Sequence, residues 1–325
     1  MTASATSLAG PLARLVLGRL GQALATAALL ATLCFAFVHA LPGDLALRVA
    51  AARVGDERVT TQTADRIRRS EGLDRPLVFQ YLHWMATLAR GDLGRSLVTG
   101  QPVAGELARH GAFTLRLGLA GWLLSYAIAL PLGIAAGLRP GRWLDRATTA
   151  LAVTLASLPS FLVGLGLVSL FALTLRWLPP AGFGTTAHMV LPALTLALSL
   201  VALSIPVIRN AVVEVRSAFY MTYARVRGLS AAAALRHHGL RNAAIPVVTF
   251  AALQFAYVMD GFVVIETLFN YPGMGELLVT ALIARDVPVI VGAGLTLGFA
   301  FALVSLAADL ARVWLDPRRL REGRP

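Results

Sequence analysis

The stretch ATTALAVTLASLPSFLVGLGLVSLFALTL, residues 147–175, carries no charged side chain from end to end. About twenty apolar residues suffice to cross the hydrocarbon core of a bilayer as a helix. A run this long and this uniform reads as one membrane span with Pro159 inside it. In lipid such a proline is tolerated where neighbouring helices or water satisfy the carbonyl it frees.

The pattern repeats on both sides. Apolar runs at 15–38, 117–138, 189–208, 243–265 and 287–308 bring the expected count to six spans. Pro131, Pro192 and Pro206 also fall inside spans; such prolines mark helices that bend or line a path, or are packing irregularities, the reading favoured for any single one. The chain is 57% hydrophobic and 14% charged, where a soluble domain has roughly a quarter of its residues charged. The expected fold is all-α, a polytopic membrane protein.

The net charge of +12 is carried by arginine, for the sequence has no lysine. In a soluble chain this excess would point to nucleic acid; here no nucleic acid is expected, because the arginines sort into alternate short loops. Arg139, Arg142 and Arg146 separate spans two and three; Arg209, Arg216, Arg225, Arg227, Arg236 and Arg241 separate four and five; Arg312, Arg318, Arg319, Arg321 and Arg324 follow span six. Such loops are held on the cytoplasmic side, which places both termini there. The resulting organisation is a cytoplasmic N-terminus and first helix over 1–40 and a long extracytoplasmic loop over 41–110. A five-helix core over 111–315 follows, with a cytoplasmic loop at 209–242 and a tail over 316–325. Arg14 and Arg19 resemble a signal-peptide n-region, but the apolar run after them is too long, so the first span is expected to stay uncleaved. The single Cys34 implies no disulfide.

Catalytic patterns are missing. A P-loop needs a lysine, no HExxH occurs, and the spans hold no paired acids or histidines for a buried protease dyad. His39, His83, His110 and His188 have no ligand spacing, so no metal site is expected. Six sparsely polar helices suit a translocation path rather than an enzyme.

The basic loop YARVRGLSAAAALRHHGLRNAAIP, 223–246, is too long for a plain connector. A helix continuing the fourth span over 204–223, a turn at Gly228, and a second helix over 231–238 with Ser230 as N-cap together make a projecting finger. Small alanines such as Ala232 suit docking to a partner.

These residues resemble the cytoplasmic loop of permease subunits in the dipeptide/oligopeptide/nickel family of ABC importers. Thr222-Tyr223-Ala224 stands in the Glu-Ala-Ala place of the general importer pattern, with Gly228 as its glycine and Leu240 as its leucine. His238, Leu240, Arg241, Asn242, Ile245 and Pro246 match the peptide-family version, whereas Thr222 and Tyr223 depart from it. LPGD at 41–44, GLDRPLVFQYLHW at 72–84, RGDLGRSLVTGQPV at 90–103, LPALTLAL at 191–198, ETLFNYPGMG at 266–275 and DPRRL at 316–320 are also similar to family segments, in order. The resemblance implies the B-type permease of a type I ABC importer for di- or oligopeptides. Its partners would be a second homologous permease subunit, two cytoplasmic ATPase subunits that bind ATP and magnesium, an extracytoplasmic solute-binding protein and the lipid bilayer. This chain would hold no cofactor. The implied ATPase-coupling residues are Tyr223, Ala224, Arg225, Arg227, Gly228, Ser230, Ala232, His238, Leu240 and Arg241.

Other features stay open on sequence. Phe269, Pro272, Gly273 and Gly275 form either an outer gate, in which Gly273 needs glycine's backbone freedom, or an ordinary connector. Asp260 and Glu266 either meet a substrate ammonium group or pair structurally with an arginine such as Arg116 or Arg285. Leu77, Tyr81, Trp84, Met85 and Leu88 recur at helical spacing, for packing on the spans, for the outer leaflet, or for a binding protein. Nickel or nickel-chelate import is the alternative cargo, and an ATP-independent channel or secondary transporter the alternative class.

Overall fold

The computed structural model describes residues 5–40, 46, 47, 50, 60–70 and 74–315. Among these the regular elements are all helical, apart from one isolated bridge between Arg95 and Pro102. In order, the helices are α1 Ala5–Ala40, α2 Thr61–Ser70, α3 Leu77–Ala89, α4 Val103–Leu138, α5 Trp143–Ser157, α6 Ser160–Leu167, α7 Thr186–Ser217, α8 Phe219–Val226, α9 Ala231–Ala234, α10 Leu240–Leu268, α11 Met274–Ala284 and α12 Val287–Leu315. The LPGD and DPRRL motifs lie outside the described residues.

By length and composition, four of these helices can cross a membrane: α4, α7, and the windows Val16–Ala36 of α1 and Val287–Ala307 of α12. The bent pair α5–α6 makes a fifth if it counts as one span. The remaining expected span, 243–265, falls on α10, whose apolar stretch among the described residues is Leu240–Phe255.

Residues 147–175 do not form one straight helix. Leu158 and Pro159 adopt extended backbone, and the helices on either side meet at 105°. The proline ring disfavours helical geometry in the residue before it, so α5 ends there and Pro159 caps α6. Beyond α6 the chain winds wider, as a π-helix over Val168–Thr174. Pro192 and Pro206, by contrast, sit within an unbroken α7. Along that helix Thr195, Ser199 and Ser204 each donate a hydroxyl to the carbonyl one turn back. The helix that carries the expected second span, α4, starts at Val103, ahead of the apolar run at 117–138.

The chain divides into two compact units: Met1–Leu12 with Leu115–Tyr271 and Leu303–Pro325, and Ala13–Thr114 with Pro272–Ala302. The first is centred on α7, the most buried of the long helices. Its core joins Tyr126 and Ala129 of α4, Ala152 of α5, Val201, Ile205 and Ile208 of α7, and Ala251 of α10. Lipid offers no hydrophobic drive between helices, so close approach depends on small residues. Gly133 and Gly137 supply it on α4: a Cβ on Gly137 would come within 2.7 Å of Val212 and 2.8 Å of the Arg209 carbonyl.

The second unit packs Val103 and Leu107 of α4 against Met274 and Ala281 of α11 and Val289 and Ala293 of α12. Asp286, buried just before α12, accepts the Ser96 hydroxyl and the Leu97 N–H (3.1 Å). This carboxylate fixes the RGDLGRSLVTGQPV loop, a role that its position in the sequence does not announce.

Candidate functional site

The finger after α7 is built differently from what the sequence pattern implies. The expected helix over 204–223 is interrupted: α7 stops at Ser217, Ala218 turns extended, and α8 starts afresh at Phe219. Gly228 has φ +93°, a region that L side chains rarely adopt. Ser230 then caps α9, its hydroxyl oxygen accepting the Ala233 N–H at 3.2 Å. The second helix does not end at 238. A π-turn over Leu235–Gly239 carries the chain directly into α10.

One face of α8 is locked down. Met221 and Ala224 are buried against Ala211 and Val215 of α7, with Ala234 and Ala243 completing the cluster. Ala224 therefore serves the finger's own core and offers no surface to a partner. The opposite face is bare. Phe219, Tyr223 and Val226 share a helical stripe at i, i+4 and i+7, and are 84%, 56% and 80% exposed. The Arg227 guanidinium lies 5.9 Å from the centre of the Tyr223 ring. Gly228, Ser230, Leu240 and Arg241 are also exposed. The side chains of Arg225, Ala232, His238 and Asp260 lie outside the described residues. Phe219 and Val226 escaped the sequence reading, although their spacing from Tyr223 was legible.

At the root of the finger, two arginines do more than mark topology. Arg209 forms a two-pronged ion pair with buried Asp145 of α5. Arg216 donates to the carbonyls of Gly137 and Leu138 at the end of α4. Both tie the α4–α5 turn to the C-terminal end of α7.

The 269–275 segment is split between the two units. In the first, Phe269 is buried and its carbonyl accepts the Gly182 N–H at 2.8 Å. Asn270 takes φ +47°, and Tyr271 N–H bonds back to the Glu266 carbonyl at 2.8 Å. Glu266 is fully buried. Burial and the Glu266 charge push the Tyr271 phenol above its ordinary pKa, with Arg116 opposing. In the second unit Gly273 and Gly275 are buried and Pro272 half-buried. The Gly273 carbonyl lies 3.2 Å from His110 Nδ1, and Met274 N–H donates to Thr114 Oγ1 at 2.7 Å. Gly273 itself is ordinary extended backbone (φ −98°, ψ −176°), so the expected need for glycine's freedom is not there. It falls on Asn270.

An apolar groove of about 700 Å³ opens between α4, α7, α10 and α12 within the first unit, its lining including Trp122, Tyr126, Val247 and Phe255. Behind it Gln254 Oε1 lies 3.1 Å from Ser204 Oγ, and Gln254 Nε2 donates to the Leu200 carbonyl (3.0 Å). The Tyr126 hydroxyl is buried beside Ser204 and, among the described residues, has no partner in bonding geometry. The lone Gln254 of an apolar helix was a readable signal for this cluster.

A family model described as "Binding-protein-dependent transport system inner membrane component" matches residues 129–321. Its companion, "Binding-prot-dependent transport system membrane comp, N-term", matches residues 12–108. The glutathione transport system permease protein GsiC of Salmonella choleraesuis (strain SC-B67) is 38% identical over 302 residues, covering 93% of this chain and 97% of that protein. GsiC of Escherichia coli (strain K12) is 37% identical over the same length and coverage. Both family matches fall on the helices just described, and the relatives align almost end to end. The chain belongs to the binding-protein-dependent transport system inner membrane components, as a non-catalytic permease subunit of an ABC importer of the peptide/nickel family.

Proposed function

We propose that this permease forms half of a translocation path for di- or oligopeptides and is driven through α8. One observation carries the coupling role. A short helix held rigidly from one side by Met221 and Ala224 presents Phe219, Tyr223 and Val226 to the outside on the other. Exposed stripes of this kind fit a groove on a partner protein. The occupant is an ATPase subunit, which binds the ATP and magnesium that this chain does not. A second homologous permease, two such ATPases and an extracytoplasmic solute-binding protein complete the transporter.

Six spans, with α10 as the fifth, put both termini and the finger in the cytoplasm, consistent with the segregated arginines. Closure of the ATPases shifts α8, and the clamps at Arg209 and Arg216 pass that shift to α4 and α5. The 269–275 segment acts as an outer gate, and Glu266 supports it structurally from its buried position beside Tyr271. Relatives named for glutathione, itself a small peptide, favour peptide cargo over nickel.

The test is a Phe219→Asp/Val226→Asp double variant, assembled with its partners in proteoliposomes. Co-purification of the ATPase and its stimulation by loaded binding protein should both be lost while membrane insertion persists. Full stimulation in that variant rejects the coupling role. Ligand retained by the binding protein decides between peptide and nickel.

A further inference from the structure

We infer that α3 is an interfacial helix seated in the leaflet at the C-terminal end of α1, with Val78 and Leu82 in the acyl chains. The inference goes beyond transport and rests on three features of the second unit.

The first is depth. The Tyr81 hydroxyl lies 2.8 Å from Thr32 Oγ1, and the rings of Tyr81 and Trp84 pack on Phe35 at 5.3 and 5.6 Å. Thr32 lies four residues inside the end of the apolar window Val16–Ala36, about 6 Å along the helix axis. Almost nothing among the described residues covers that window, and Leu29 and Leu33 beside Thr32 are exposed. Lipid therefore reaches the level at which α3 meets α1.

The second feature is the pattern around α3. From Leu77 to Ala89 the helix has no Asp, Glu, Arg or Lys. Gln80, His83 and Thr87 form a polar stripe at i, i+3 and i+7. Tyr81, Trp84 and Leu88 occupy the flank towards α1. Val78 and Leu82, 66% and 56% exposed, fall on the arc opposite the polar stripe. Gln80 meets His39 of α1 at 3.3 Å, at the edge of the polar stripe; His83 and Thr87 are left to water, and Val78 and Leu82 to lipid.

The third is the ends. At 13 residues α3 is too short to cross a bilayer. Exposed Arg75 and Arg90 bracket it, where both guanidinium groups can reach lipid phosphates. Aromatic Tyr81 and Trp84 suit the headgroup level.

The experiment places single nitroxide labels at Val78→Cys, Leu82→Cys, His83→Cys and Thr87→Cys in a Cys34→Ala background. The assembled transporter is held in phospholipid nanodiscs, and collision with dissolved oxygen is compared with collision with a water-soluble nickel chelate. Labels at 78 and 82 should show an oxygen-to-nickel ratio several-fold above those at 83 and 87. Either position of each pair suffices if its companion fails to assemble. Equal ratios at all positions overturn the proposal. So does a label at 82 that is open to the nickel chelate in the free transporter and becomes shielded on adding the solute-binding protein, for that face then docks a protein instead.

Discussion

Arg209 donates Nε and Nη2 to the two carboxylate oxygens of Asp145, at 3.0 and 2.9 Å, joining the end of α7 to the start of α5. The Gly141 N–H adds a third bond to Asp145 at 2.8 Å, so the turn, the carboxylate and the finger's root form one connected piece. Removing one partner of a buried pair strands the other. Because Arg209 remains 30% exposed, Asp145→Ala should cost about 1–3 kcal/mol, below the range for a fully buried pair. Thermal unfolding in detergent measures it. The Asp145→Ala/Arg209→Ala double variant should lose less than the sum of the two single losses, and strict additivity would show that the pair is not coupled.

Gly228 offers a cleaner probe of the finger than its arginines. Among the described residues a Cβ there would meet nothing within 4 Å, so a defect is expected from its φ of +93°. Gly228→Val should cost about 1–3 kcal/mol in backbone strain, and Gly228→Asn markedly less, since asparagine tolerates left-handed backbone. Graded loss of ATPase co-purification in the order Gly, Asn, Val is the expected result. Equal behaviour of the three would mean that the turn relaxes freely.

In the 269–275 turn the strained position is Asn270, not Gly273. Asn270→Gly should leave melting temperature and uptake near wild type. Asn270→Val should lower stability by about 1–2 kcal/mol, because a β-branched side chain resists φ near +47°. A harmless valine at 270 would contradict this assignment.

Gly137→Leu should separate α4 from α7. Its Cβ would press on Val212 and on the Arg209 carbonyl, and backbone cannot step aside as a side chain can. Overpacking of this kind costs about 1–3 kcal/mol. The control is Gly166→Ala on α6, where a Cβ has open space. Matched melting temperatures for the two variants would show that the α4–α7 approach is not close in the assembled protein.

Much of this molecule is written in one dimension. Uncharged runs longer than the bilayer is thick can only be buried in lipid or protein, so residues 147–175 and their counterparts declared a helical membrane protein. Local chemistry was equally readable where neighbours in sequence supply it, as in the cap of Ser230 on Ala233 and the positive φ at Gly228. The tertiary structure decided what depends on distant partners. Pro159 and Pro206 look alike in the sequence, yet one lies at a 105° break and the other inside a continuous helix whose buried face packs on α4, α5 and α10. Ala224 and Phe219 both belong to a short helix of the same loop. Only the arrival of Val215 and Ala234 over one side buries the alanine and leaves the phenylalanine outside. Burial is a property of three-dimensional neighbours, and that is why the exposed stripe could not be told from its supporting face before the chain was folded.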